Sequence, residues 1–176
     1  MNYNKDTEYM THLSSHTTQY TARNNYGIGA GGVVYKRINT GVQFLLLGRT
    51  SANAEVTYHL PKGTLHIDEP IEACALREIT EEAGVKVALK TYLGGVCASY
   101  DLDGHHYEKI IHYYAAEYVS EADPMDAEHD FKEWCDTTDA LEKLSHNPKR
   151  EDKLIEKCST YLRSHKKPFT KNKPKH

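Results

Sequence analysis

The chain has 176 residues, a formal net charge of −3 and a pI of about 6.4, which fits one domain with tails. This charge balance predicts no general attraction to nucleic acid or to an anionic membrane. Four widely spaced cysteines without a Cys-x-x-Cys pair fit a reducing compartment better than a disulfide framework or a zinc site. The polar start and the lack of a bilayer-length apolar run lead us to expect a cytoplasmic protein.

The first part of the chain predicts an extension followed by two strands. Residues 1–24 are polar and aperiodic, so we expect a flexible extension or a strand added late to a sheet edge. Apolar segments at 27–36 and 42–49 predict two strands joined by a hairpin-like turn at 39–41. The glycines of the first strand lack the spacing of a phosphate-binding loop, so we expect close backbone packing there.

A helix is predicted over residues 70–83 because both of its ends carry typical signals. Pro70 suits the first helical position, and Gly84 suits the left-handed conformation that ends a helix. We expect the apolar residues of this segment to cover one side while its glutamates face elsewhere. Those apolar residues are Ile71, Cys74, Ala75, Ile79 and Ala83.

The rest of the chain predicts more strands and two helices. The predicted strands cover 85–93, 95–100, 107–118 and 131–135, with a tight turn at Asp103-Gly104 and helices over 138–144 and from Asn147-Pro148 to about Arg163. This order indicates a mixed sheet between helices and not a parallel βαβ series. We therefore predict one domain over 25–163, followed by a basic tail at 164–176.

Acidic residues are concentrated in and just before the first predicted helix. Five glutamates and one arginine lie within the fourteen residues from Glu69 to Glu82. The i, i+3, i+4 spacing of Glu78, Glu81 and Glu82 places three carboxylates on one helical face. A solvated charged helix normally alternates the signs of its charges. Clustered carboxylates instead provide the oxygen ligands of Mg²⁺, which usually meets its substrate through phosphate oxygens.

The same segment resembles the Nudix box, Gly-x5-Glu-x7-Arg-Glu-U-x-Glu-Glu-x-Gly-U, in which U is a bulky aliphatic residue. All nine defined positions are filled, by Gly63, Glu69, Arg77, Glu78, Ile79, Glu81, Glu82, Gly84 and Val85. The resemblance implies an α/β fold of the α+β type, namely an α/β/α sandwich with a mixed sheet and a catalytic loop–helix–loop. It also implies Mg²⁺-dependent hydrolysis, with Mn²⁺ as a substitute metal, of nucleoside diphosphates linked to another moiety.

The resemblance assigns metal ligands within and beside the box. Glu78 and Glu82 would coordinate the metal, and Glu81 would be shared between metal ions or a water molecule. The backbone carbonyl of Lys62 matches a frequent further ligand. Which carboxylate acts as general base stays open among Glu78, Glu81 and Glu128.

The remaining box residues are expected to support the catalytic set. Arg77 would pair with Glu69 or Glu81 and hold the helix against the loop. Gly63 would give the backbone room to approach metal and phosphates, and Gly84 would end the helix.

The flanking segments resemble those of Nudix hydrolases that act on dinucleoside polyphosphates. Leu60-Pro61-Lys62-Gly63 is similar to a lead-in shared with inositol polyphosphate hydrolases, and Lys62 would place its ammonium on a phosphate. The segments Lys109-Ile-Ile-His112-Tyr113-Tyr114-Ala-Ala-Glu117 and Glu128-His129-Asp-Phe-Lys-Glu-Trp134 are similar to parts of asymmetric diadenosine tetraphosphate hydrolases. Glu128 would then be an outlying carboxylate of the metal or base set, with Glu133 as a weaker candidate.

Tyr113 and Tyr114 are candidates for stacking on an adenine. Because side chains alternate along a strand, one of the two should point inward and the other outward.

Taken with the flanking segments, the resemblance implies hydrolysis of a dinucleoside polyphosphate, such as diadenosine tetraphosphate to ATP plus AMP. The alternatives are a nucleoside triphosphate pyrophosphatase that removes oxidised nucleotides, a diphosphoinositol polyphosphate phosphohydrolase, and a nucleotide-sensing module without turnover. The expected partner is a small nucleotide, with no nucleic acid or membrane, and the oligomeric state stays open.

Overall fold

The computed structural model describes residues 26–102, 105–122, 125, 127–147 and 149–165. The predicted extension over residues 1–24, the turn at Asp103-Gly104, Pro148 and the tail from residue 166 lie outside the described residues.

Strands and helices follow one another in an order close to the predicted one. They are β1 (Tyr26–Ile38), β2 (Gly41–Thr50), β3 (Val56–His59), β4 (Lys62–Thr64), α1 (Ile71–Ala83), β5 (Val85–Leu102), β6 (His105–Glu121), β7 (Phe131–Cys135), α2 (Thr137–Ser145) and α3 (Asp152–Ser164).

One mixed sheet contains the strands of the described residues. Its main order is β3-β2-β1-β6-β5, with β4 beside β1 and β7 beside β2. β1 and β6 run parallel, with Gly29 opposite Ile111, whereas the other strand pairs are antiparallel. Pairing with β1 brings β4 to the first half of that strand, with Gly31 opposite Lys62.

Two apolar layers show that the sheet lies between helices. On one side, sheet residues such as Phe44 and Leu46 pack with residues of α2 and α3, including Leu144 and Ile155. On the other side, Val34, Leu45 and Leu47 pack against Ile79 and Ala83 of α1. The predicted α/β/α sandwich is therefore confirmed.

The strand predictions differ from the structure where long-range pairing determines the element. The predicted strands 85–93 and 95–100 form one continuous β5, which pairs with β6 through register shifts near Gly94. A positive φ of 124° at Gly94 accommodates this irregularity. The sequence did not predict β3 and β4, because each is short and exists through its pairing with β2 or β1.

The helix α1 has the predicted ends. Pro70 is extended (φ −61°, ψ 146°) and precedes the first helical residue, and Gly84 is left-handed (φ 61°, ψ 37°). The last helix begins at Asp152, later than the predicted start at 147. One expectation about α1 was wrong: its glutamates do not all face away from the core, because Glu78 and Glu82 are buried together with its apolar residues.

Candidate functional site

The acidic face of α1 lies against the loop between β3 and β4 and against β4 itself. Glu78 and Glu82 are 9% and 4% exposed, whereas the side chain of Glu81 is 52% exposed. The helical spacing therefore gathers three carboxylates, two of which are covered by the preceding chain segment.

Glu82 is held by the main chain just before Gly63. The Lys62 N–H donates a hydrogen bond of 2.7 Å to Glu82 Oε2. Burial raises the pKa of Glu82 to about 7; the hydrogen bond and charge of Lys62 oppose this rise, and the charges of Glu128 and Glu78 add to it. Folding thus keeps this carboxylate in an environment that disfavours its charge unless a cation approaches.

Glu78 lies directly on Gly63. A Cβ atom at position 63 would collide with the Glu78 carboxylate, so only glycine leaves room for it here. Burial raises the pKa of Glu78, Arg77 opposes the rise, and the charge of Glu81 adds to it. The space at Gly63, which we expected to admit metal and phosphates, is occupied in the structure by the Glu78 carboxylate.

Arg77 links the loop before α1 to the acidic face of the helix. Its guanidinium donates to both oxygens of Glu69 at 2.8 and 2.9 Å, to Glu78 at 2.7 Å and to Glu81 at 3.0 Å. It also donates to the backbone carbonyl of Thr64 at 3.0 Å. The hydrogen bonds from Arg77 lower the pKa of Glu69 to about 2. The geometry agrees with the expected supporting role, since these bonds tie β4 and the following loop to α1.

Glu128 comes close to the α1 glutamates although it is far from them in sequence. Its charge contributes to the raised pKa of Glu82. The guanidinium of Arg49 donates to the backbone carbonyl of Glu128 at 2.9 Å and lies 3.5 Å from its carboxylate. Glu128 therefore stays a candidate for the outlying carboxylate of the metal or base set.

Glu133, the weaker candidate, is engaged elsewhere. Its oxygens accept hydrogen bonds from Lys143 at 2.6 Å and from the Tyr58 hydroxyl at 3.1 Å. Together with Cys135 and Asp139 it forms a group of donor atoms that lie within 4.8 Å of one another. The Lys143 ammonium contacts all three residues, so this group already contains a cation.

The two candidate stacking tyrosines separate as the strand alternation predicts. Tyr113 is fully buried and donates from its hydroxyl to Glu151 at 2.9 Å. It therefore has no free ring face, and its prediction as a stacking residue is wrong. Tyr114 is partly buried against the apolar side of α1, and burial, followed by Glu72, raises its pKa.

Basic residues without a role predicted from the sequence lie near the start of the box. Lys109 donates to the Thr64 hydroxyl at 2.8 Å, and its pKa is lowered by burial and then by Lys62, with a further contribution from Lys149. Burial, followed by the charges of Lys62 and Lys149, lowers the pKa of His59 to about 4. Lys109 begins the segment that resembles part of the diadenosine tetraphosphate hydrolases, so this resemblance was a sequence signal for it. No sequence signal marked Lys149 or His59.

Comparison with known proteins gives a match over most of the chain. A family model described as NUDIX domain matches residues 26–158. The chain is 26% identical over 121 residues to a protein named as a mutator protein, MutT4, of Mycobacterium tuberculosis (strain CDC 1551 / Oshkosh). This match covers 65% of the chain and 49% of the other protein, so the chain spans about half the length of this curated relative.

Solved structures share the fold. A C. elegans Ap4A hydrolase in a binary complex is 22% identical, with a TM-score of 0.59 over 78% of this chain and 98% of that chain. The NUDIX domain of Shewanella oneidensis NrtR, complexed with ADP ribose, is 18% identical, with a TM-score of 0.60 over 87% of this chain and 97% of that chain. Among the described helices, no helix combines the length and apolar character needed to cross a membrane.

Proposed function

The chain belongs to the NUDIX domain family, and from this premise we propose that it is a Mg²⁺-dependent hydrolase of a dinucleoside polyphosphate. Our best candidate substrate is diadenosine tetraphosphate, cleaved to ATP plus AMP. The observation that carries the proposal is the complete acidic face of α1, whose Glu78 and Glu82 are buried against the Lys62-Gly63 backbone. We propose that it works in the cytoplasm.

The donor set of this face fits a hard divalent cation. Glu78, Glu82, Glu81, Glu128 and the Lys62 carbonyl would hold Mg²⁺, or Mn²⁺ in its place. All of these donors are oxygens, the ligand type that Mg²⁺ selects. Burial raises the pKa values of Glu78 and Glu82, as expected for carboxylates gathered in a low-dielectric place for a cation. When bound, the metal would neutralise phosphate charge and acidify a coordinated water.

The residues of the chain then divide the remaining work. A water oxygen forms a bond to phosphorus, the bridging P–O bond breaks, and one proton of the water passes to a carboxylate of Glu78, Glu81 or Glu128. Arg77 holds α1 against β4, since it donates hydrogen bonds to Glu78 and to the Thr64 carbonyl. Lys62 supplies its N–H to Glu82 and its ammonium to a substrate phosphate.

The substrate class is supported by the segments that flank the box. The lead-in Leu60-Pro61-Lys62-Gly63 borders the acidic face directly, and Glu128 lies close enough to act on Glu82. Of the tyrosine pair, Tyr114 alone retains exposed surface. A long phosphate chain offers several anionic oxygens to the metal and to Lys62 at once.

A direct test compares kcat/KM, with the same Mg²⁺ concentration, for diadenosine tetraphosphate, 8-oxo-dGTP, ADP-ribose and a diphosphoinositol phosphate. We expect the highest kcat/KM for diadenosine tetraphosphate. Addition of EDTA should abolish hydrolysis of this substrate. In ¹⁸O-labelled water only one of the two products should carry label, which identifies the attacked phosphorus. A higher kcat/KM for any other substrate would overturn the substrate assignment and leave the hydrolase assignment in place.

A nucleoside triphosphate pyrophosphatase is the second candidate, because the curated relative is named as a mutator protein. A preference for 8-oxo-dGTP, with release of pyrophosphate, would select it. A nucleotide-sensing module would bind these ligands without product formation.

A further inference from the structure

Three lysines lie beside the candidate metal centre, and none of them forms an ion pair with a carboxylate of the described residues. Lys62 and Lys109 direct their ammonium groups to the Leu60 carbonyl and the Thr64 hydroxyl. The Lys149 ammonium has no hydrogen bond or ion pair to another described residue. Burial and the charge of Lys62 lower the pKa of Lys109 and of Lys149, and the carboxylates of Glu78 and Glu151, respectively, oppose this decrease. Gathering like charges in partly buried positions is unfavourable, and a bound anion would relieve the repulsion that these two carboxylates do not offset.

The backbone of Lys149 determines the orientation of a neighbouring amide. The Lys149 N–H donates to Asn147 Oδ1 at 2.9 Å, so the amide NH₂ must point the other way. There it donates to Glu151 at 3.1 Å and to the Tyr58 carbonyl at 3.3 Å, and it lies 3.2 Å from His59 Nδ1. Because an amide NH₂ only donates, a proton on His59 Nδ1 would face another donor, so the neutral ring carries its proton on Nε2.

Glu151 fixes this arrangement relative to the box. It is fully buried and accepts hydrogen bonds from the Leu60 N–H and from the Tyr113 hydroxyl, each at 2.9 Å. Its oxygens are therefore occupied by neutral donors from the lead-in, from β6 and from Asn147. The segment that carries Lys149 is thus bonded to the segment that carries His59 and Lys62.

We propose that Lys149 and His59 form a second phosphate-binding subsite, next to the candidate metal centre, that holds phosphates of a polyphosphate chain beyond the one being hydrolysed. Lys149 supplies the charge, and His59 supplies a neutral Nε2–H donor whose direction Asn147 sets. The identity of the chain as part of a nucleotide rests on the proposed function, whereas the affinity for a linear polyphosphate rests on these residues alone.

The experiment measures binding of inorganic tripolyphosphate by calorimetry in EDTA and at low ionic strength, so that no metal contributes. We expect Lys149→Met to weaken binding about tenfold and Lys149→Arg to restore most of it. Lys153→Met is the matched control, because Lys153 is exposed and already pairs with Glu156, and it should leave the affinity unchanged. His59→Phe should weaken binding by a smaller factor than Lys149→Met, and His59→Gln should weaken it less than His59→Phe.

Thermal unfolding separates this role from a structural one. Since the Lys149 ammonium bonds to no described residue, Lys149→Met should not lower the melting temperature, whereas a lysine that supports the fold would lower it when removed. Equal binding by wild type and Lys149→Met, or equal losses in Lys149→Met and Lys153→Met, would overturn the subsite. Absence of hydrolysis with an intact tripolyphosphate response would overturn the proposed function and leave the subsite standing.

Discussion

Two acidic clusters of this fold contain similar side chains but differ in how their charge is compensated. We call Glu78, Glu81 and Glu82 the α1 cluster, and Glu133, Cys135 and Asp139 the β7–α2 cluster. In the β7–α2 cluster the Lys143 ammonium lies 2.6 Å from Glu133, 3.0 Å from Asp139 and 3.5 Å from the Cys135 sulfur. This hydrogen bonding lowers the pKa of Asp139, as for a carboxylate that already has its cation.

The α1 cluster is compensated only in part. Arg77 pairs with Glu78 and Glu81, but no cationic side chain of the described residues lies within ion-pair distance of Glu82. Burial accordingly raises the pKa of Glu82 to about 7. Convergence of donor atoms is therefore a poor guide to a metal site by itself. The clusters differ in that Glu82 has no cationic partner among the described side chains, whereas each member of the β7–α2 cluster contacts Lys143.

The strongest test of this difference is a substitution in each cluster that removes one charge and preserves size. Glu82→Gln should lower kcat on the order of 10²–10³-fold, because an amide cannot balance the charge of a metal at the reacting phosphate. Glu133→Gln should leave kcat close to that of wild type, since Glu133 bonds Lys143 and Tyr58. Steady-state kinetics over a Mg²⁺ titration, with circular dichroism to check folding, measure both.

Two outcomes would contradict the comparison. Near wild-type turnover of Glu82→Gln at saturating Mg²⁺ would remove Glu82 from the metal ligands. A comparable loss of turnover in Glu133→Gln would place the β7–α2 cluster at the reaction centre.

The two clusters should also give opposite dependences of stability on pH. The folded-state pKa of Glu82 is raised from 4.5 to about 7, so the folded protein binds more protons than the unfolded chain between these values. Its stabilising contribution is complete below the lower value and is lost as pH rises through the higher one. The pKa of Asp139 is lowered by Lys143, so its contribution is present above its unfolded pKa and is lost as pH falls.

Melting temperatures in EDTA, measured from about pH 5 to about pH 8, should therefore fall more for wild type than for Glu82→Gln. Added Mg²⁺ should reduce the difference at the alkaline end, because a ligand that binds only the folded state stabilises it. Asp139→Asn should lose stability relative to wild type mainly at neutral pH. Parallel pH profiles for wild type and Glu82→Gln would show that Glu82 is not the titrating group.

Local patterns predicted much of the fold and the acidic part of the site. The short strand predicted around Trp134 is β7 at Phe131–Cys135, as observed, and the end signals of α1 hold within one residue. The spacing of the glutamates gives their common face because helical geometry is local. The same alternation predicts that one of Tyr113 and Tyr114 is buried, but not which one, because Glu151 lies 38 positions away from its partner Tyr113.

The basic part of the site depends on contacts that no local pattern contains. Asn147 and His59 are 88 positions apart, and Glu151 and Leu60 are 91 apart. Lys149 can be recognised as part of this group only in the structure, where these bonds bring its segment next to that of Lys62. In the same way, Glu78 and Glu82 are buried because β4 pairs with β1 and lies over them. Helix periodicity alone predicts that charged residues face solvent.

The smallest expected effect comes from removing the cation of the β7–α2 cluster. Lys143→Met should destabilise the fold by about 1 kcal/mol, a modest value because its partners Glu133 and Asp139 are partly exposed. Turnover should be unchanged. Without the ammonium, carboxylate and thiol donors within 4.8 Å of one another form a set that Zn²⁺ accepts. Zn²⁺ should therefore raise the melting temperature of Lys143→Met more than that of wild type or Lys153→Met. An equal response of all three proteins would show that the ammonium is not what distinguishes this cluster from the α1 cluster.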